Sequence, residues 1–166
     1  MKAFSLWQPW AQFMALGWKL NETRSWATKY RGLLVIHAAK TRVAMGDVED
    51  ALAQQGFRVV RFDFGAFLCV VNLVDCVPVE KVRDTISARE RALGDYSDGR
   101  FAWITRDCRP FEQPIPGRGA QGLFAPPLGV IGAYTRLINL PGAPPVPVAV
   151  PTGEGAPCRT KRHACA

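Results

Sequence analysis

The stretch AFLCVVNLVDCVPV, residues 66–79, carries the strongest strand signal in the chain. Cys69, Val71 and Leu73 alternate with Val70, Asn72 and Val74, so a period of two leaves apolar side chains on both faces. A strand buried on both sides belongs in the middle of a sheet or in a closed barrel. Only short helical segments are available to cover it, and a closed barrel satisfies such a strand with little helical cover. Asp75, near the end of the run, is out of place there unless it reaches a cleft or pairs with a cation.

Towards the N-terminus, residues 33–39 form a second β-rich apolar run behind a Gly32 turn, and residues 4–7 read as a short strand. Pro9 suits a first helical position; Trp10, Phe13 and Met14 then repeat at helical spacing, with Gly17 as a stop. Between them, WKLNETRSWATKYRG has no helical period and reads as a loop or edge strand. Ala44, Val48, Ala51 and Leu52 predict an amphipathic helix ended by Gly56, with Asp47, Glu49 and Asp50 solvating its outer face.

Towards the C-terminus, residues 80–93 are charged and helix-permissive, with Gly94 as their stop, and residues 100–107 predict a strand. Residues 110–127 hold five prolines and three glycines, which argues against regular structure, although Leu123 and Phe124 can anchor the segment as a packed loop. Residues 128–140 suit a last strand or a short helix, and periodicity does not choose. Residues 141–166, with six prolines and almost no large apolar side chain, read as a flexible tail. Residues 1–140 therefore form the expected α+β domain.

The 166 residues, 48% hydrophobic and 21% charged, fit one globular domain without a membrane span or signal peptide. Five cysteines are an odd number in a chain able to bury its own core, so reduced thiols in a cytoplasm are expected. Cys158, His163 and Cys165 lack metal-ligand spacing, and no metal or other cofactor is expected. The net charge of +7 is local. Residues 1–46 hold seven Lys/Arg against the single acid Glu22, and four of the five tryptophans, Trp7, Trp10, Trp18 and Trp26, share that segment. Cations interleaved with flat rings suit a ligand with phosphates and bases, although tryptophan also fills cores.

No phosphate-binding Gly-rich loop, HExxH motif or nucleophile-elbow serine is present. GWKLNETRSW, residues 17–26, stands out instead. If residues 21–25 are extended, Glu22 and Arg24 share one face with Lys19 nearby, and Thr23 points to the other side. Lys40, at a strand end, suits a phosphate contact, and Trp7 or Trp26 can stack a base, whereas Trp10 suits the core. His37 fits a core position and a cleft position equally. Arg118 and Gln121 could reach over a cleft from the Pro-rich loop.

SLWQPWA, GWKLNETRSW, YRGLLVIHAAK, GRFAWI and PIPGRGAQGLF, in order across residues 3–124, resemble the ASCH domain family (activating signal cointegrator homology). The resemblance implies a PUA-like small β-barrel flanked by short helices, with Gly17-x-Lys19-x-x-Glu22-x-Arg24 lying over a cleft. It implies binding of RNA, other nucleic acid or nucleotide-like molecules. The family's amidohydrolase branch, which acts on N4-acetylcytidine, uses a Lys, a Thr three residues on and a downstream Glu. The matching positions here are Lys19, Glu22 in place of the Thr, and Asp75. A metal-independent hydrolase, either a ribonuclease or such an amidohydrolase, is thus the alternative, with Lys19, Glu22 and Asp75 as its catalytic candidates. A protein-interaction module, its basic face meeting an acidic partner, is the third reading, and a monomer is the expected oligomeric state.

Overall fold

The computed structural model describes residues 1–42, 50, 53 and 62–139. Of the helix expected over residues 44–56 only Asp50 and Ala53 are described, both helical, and the expected tail with Cys158, His163 and Cys165 lies outside the described residues.

Six strands form one sheet: β1 (Lys2–Leu6), β2 (Asn21–Arg24), β3 (Gly32–Ala38), β4 (Ala66–Pro78), β5 (Phe101–Pro116) and β6 (Leu123–Phe124). Their order is β2-β5-β4-β3-β1-β6. Among the described residues only the β1–β3 pair is parallel. The expected α+β barrel is present as a half-barrel: the sheet curls, and its edge strands β2 and β6 do not pair with each other. The short helices are α1 (Trp10–Ala15), a 3-10 turn at Val79–Lys81, α2 (Ala88–Ala92) and α3 (Leu128–Ile138).

The two-faced strand is explained by two cores. Leu68, Val71 and Leu73 of β4 join Phe4, Leu6, Leu34, Ile36 and Trp103, with Ala11 and Met14 of α1 packed among them. Phe67 and Val70 join Ala3 and Val35, which Val130 and Tyr134 of α3 cover. Burying a large apolar side chain contributes about 1.5–3 kcal/mol, so two small helices suffice to cover both faces. Asp75 lies beyond this buried part, exposed, with Arg31 Nη2 2.9 Å away. It takes the cation, not the cleft.

Two expectations are corrected. Residues 80–93 form no continuous helix: one 3-10 turn and the five-residue α2 divide them, and Ser87 caps α2 by accepting from the Glu90 N–H at 3.1 Å. β5 also continues through Pro110, Pro114 and Pro116, where irregular structure was expected. That half of β5 pairs with β4 alone, because β2 reaches only residues 101–104. Prolines are tolerated on such an edge: Pro116 and Pro110 stand opposite Ala66 and Cys69, and Pro114 falls in the register shift between Phe67 and Cys69. Residues 128–138, undecided from periodicity, are helical. Phe124 anchors its loop as expected, with its ring 6.4 Å from that of Phe67.

Candidate functional site

A cleft of about 1110 Å3 is lined from both ends of the sheet order, by residues of β1 and the end of β3, by the β2 region, and by residues 117–122. Trp7, Lys19, Glu22, Arg24, Trp26, Lys40 and Arg118 all line it. Asp75 does not, so the structure brings together every candidate site residue except that carboxylate. Trp10 also lines the cleft, where the core was expected.

The SLWQPWA motif builds one wall. Gln8 is fully buried; its Oε1 accepts from the Gln12 N–H at 2.9 Å, capping the start of α1, and its Nε2 donates to the Asp63 carbonyl at 2.6 Å. Trp7, just before it, is left 55% exposed at the cleft.

The β2 motif builds the opposite wall. Glu90 of α2, itself buried, accepts from the N–H groups of Leu20 (2.7 Å) and Asn21 (3.0 Å) and from the Tyr96 hydroxyl (3.1 Å). This fixes the chain just after Lys19. Lys19 is 1% exposed, and its Nζ donates to the Leu93 carbonyl at 3.0 Å. Gly94 permits that approach, since a Cβ there would lie 3.2 Å from Lys19 Nζ and 2.8 Å from the Tyr96 ring.

Glu22 sits between cations: Lys19 Nζ lies 3.8 Å from its Oε2, and Arg24 Nη1 lies 3.6 Å from its Oε1. Both separations exceed hydrogen-bond length, so the carboxylate keeps accepting capacity. Burial pushes its pKa above the ordinary 4.5, while Lys19, Arg24 and Arg100 pull the other way. Arg24 stacks over the Phe4 ring at 4.8 Å, which presents its guanidinium at the cleft. Phe4, Trp26 and Trp103 form a cluster, with Trp26 edge-on to Trp103 at 4.6 Å and 38% exposed. Lys40 and Arg118 are exposed.

His37, open between core and cleft in the sequence, is buried and lines the cleft. Its Nδ1 lies 3.1 Å from Ser5 Oγ and its Nε2 lies 3.2 Å from the Gly117 carbonyl. Burial, with Lys40 nearby, lowers its pKa below the usual 6.5 against the opposing pull of the Gly117 carbonyl. Sequence reasoning missed Ser5, Glu90 and Arg100. Glu90 carried no signal beyond its place in a charged run; Ser5 was quoted within SLWQPWA without a role.

A buried Lys/Glu pair, an arginine and two accessible tryptophans thus line one cleft. The ASCH domain profile matches residues 4–115, and the chain belongs to that family. The family supplies modules that bind nucleic acid or act as hydrolases. Activating signal cointegrator 1 from Mus musculus and from Homo sapiens are each 27% identical over 124 residues. The match covers 69% of this chain and 20% of either relative, so the chain spans about a fifth of their length. The crystal structure of ASCH from Zymomonas mobilis is similar with a TM-score of 0.49 at 16% identity, covering 82% of this chain and 94% of that one. A point variant of that protein gives 0.48 at 18%, covering 84% and 96%. Among the described residues no helix is long and apolar enough to cross a membrane, and no cluster of metal-ligating side chains occurs.

Proposed function

We propose that the chain binds RNA, or a nucleotide unit of it, in this cleft. The observation that carries the reading is the convergence of accessible Trp7 and Trp26 with the cations Arg24, Lys40 and Arg118 around one concave surface. Arg24 and Lys40 hold phosphates, Trp7 or Trp26 stacks a base, and Glu22 fixes Arg24 and accepts from a base edge. The local excess of positive charge draws the polyanion in. The setting we propose is the cytoplasm, in line with the free thiols of Cys69, Cys76 and Cys108. The testing experiment is fluorescence anisotropy of a labelled single-stranded RNA: saturable binding by the full chain supports the reading, and absence of binding at low salt overturns it.

A second reading is favoured by Glu22 alone. A carboxyl group held above its ordinary pKa beside a buried ammonium has the character of a general acid. In a metal-independent hydrolase, Glu22 would move a proton, with Lys19 and Arg24 stabilising developing negative charge. Asp75, paired with Arg31 and outside the cleft, has no part in that reading.

A further inference from the structure

Ser5 and His37 face each other across the parallel β1–β3 pair, in register, at the cleft. A carbonyl oxygen only accepts, so the bond from His37 to Gly117 requires the proton on Nε2. In the neutral ring Nδ1 is then bare, and the 3.1 Å contact has one polarity: the Ser5 hydroxyl donates to Nδ1. Burial of His37 favours the neutral ring.

The loop packs against one side of this arrangement and leaves Ser5 half-buried at the cleft. A Cβ on Gly119 would lie 2.4 Å from both Ser5 Oγ and His37 Nδ1, so only glycine lets the loop close on the pair. The sole hydrogen of the Ser5 hydroxyl is therefore committed, and what its oxygen offers is lone pairs.

We propose that Ser5, held by His37 and Gly117, is an amino-group subsite of the cleft: it accepts from an exocyclic N–H donor on a bound base and disfavours a carbonyl at the same position. This rests on the RNA-binding reading above and deepens it. An amino group meets a lone pair and forms a hydrogen bond; a carbonyl oxygen meets a lone pair and is repelled. Sites built to hydrogen-bond one partner reject its counterpart because buried polar groups are left unpaired. A half-buried hydroxyl such as Ser5 supports a preference of roughly tenfold.

The experiment compares the affinities of RNA hexamers of C against U, and of A against inosine, for wild type, Ser5→Ala and His37→Phe at neutral pH. Thermal melting checks that both variants fold. The expected result is a preference for the amino-bearing member of each pair that vanishes in Ser5→Ala. In His37→Phe it shrinks, because the freed hydroxyl can then donate to a carbonyl. Equal wild-type affinities within both pairs, or a preference that survives Ser5→Ala, would overturn the subsite and leave RNA binding intact. Failure of wild type to bind any of the four hexamers would overturn the RNA reading itself, and the subsite with it.

Discussion

Lys19 Nζ lies 3.8 Å from Glu22 Oε2, yet its hydrogen bond, at 3.0 Å, goes to the Leu93 carbonyl. The ammonium is thus anchored by backbone, and the carboxylate is left to its surroundings. This division of labour makes Glu22 the group in the motif that is free to respond to a ligand.

That freedom sets the first prediction. Glu22→Gln keeps the shape but gives up the anion that orients Arg24, so RNA affinity should fall several-fold, with no turnover of RNA or of N4-acetylcytidine by either protein in the presence of a chelator. Chelator-resistant turnover by wild type that drops about 100-fold or more in Glu22→Gln, with affinity unchanged, would instead establish the hydrolase reading.

Salt provides the second. Neutralising phosphates releases counterions, so log affinity should fall linearly with log salt. The double variant Arg24→Ala/Lys40→Ala should weaken binding of all sequences about equally, with a slope shallower by roughly 2, one unit per lost phosphate contact. An unchanged slope would move the phosphate track elsewhere.

The third concerns pH. The folded chain holds the Glu22 proton above 4.5, where the unfolded chain has released it. As pH rises from 4.5 through the raised value the folded state binds more protons, so this group's contribution to stability declines. His37 acts oppositely: as pH falls from 6.5 through its lowered value, the unfolded chain takes the proton first, and stability declines again. Urea denaturation across pH 4 to 8 should show the first decline absent in Glu22→Gln and the second absent in His37→Phe. The same profile in wild type and variants would contradict the assignment.

The fourth tests the scaffold behind the motif. Glu90→Ala leaves the Leu20 and Asn21 N–H groups without their acceptor, and the cost should be about 1–3 kcal/mol in urea denaturation. RNA affinity should fall as well, because Lys19 and Glu22 then lose their fixed setting. Unchanged stability would show that water replaces the carboxylate freely.

Much of this arrangement was legible in the sequence because the signals were local. Alternation in residues 66–79 indicated a doubly covered strand, and the spacing of Lys19, Glu22 and Arg24 placed Glu22 beside both cations. What escaped depends on long-range partners. The prolines of residues 110–116 look like a loop until one knows that no strand lies on their outer side among the described residues. Glu90 is one acid in a charged run until α2 meets the start of β2, 69 and 70 residues away in sequence. Asp75 was drawn towards the site by its chemistry, whereas Arg31, the partner that claims it, lies 44 residues earlier.

The most direct test of the central claim is photo-crosslinking of a 4-thiouridine-containing single-stranded RNA to the full chain, with the attached peptides mapped by mass spectrometry. Bound in the cleft, the bases lie against Trp7 and Trp26, and crosslinks should concentrate on those two residues and on the residue 117–122 loop, fading in Trp26→Ala as about 1–3 kcal/mol of stacking is lost. Crosslinks confined to α3 or to the Asp75 end of β4, with none at Trp7 or Trp26, would contradict it.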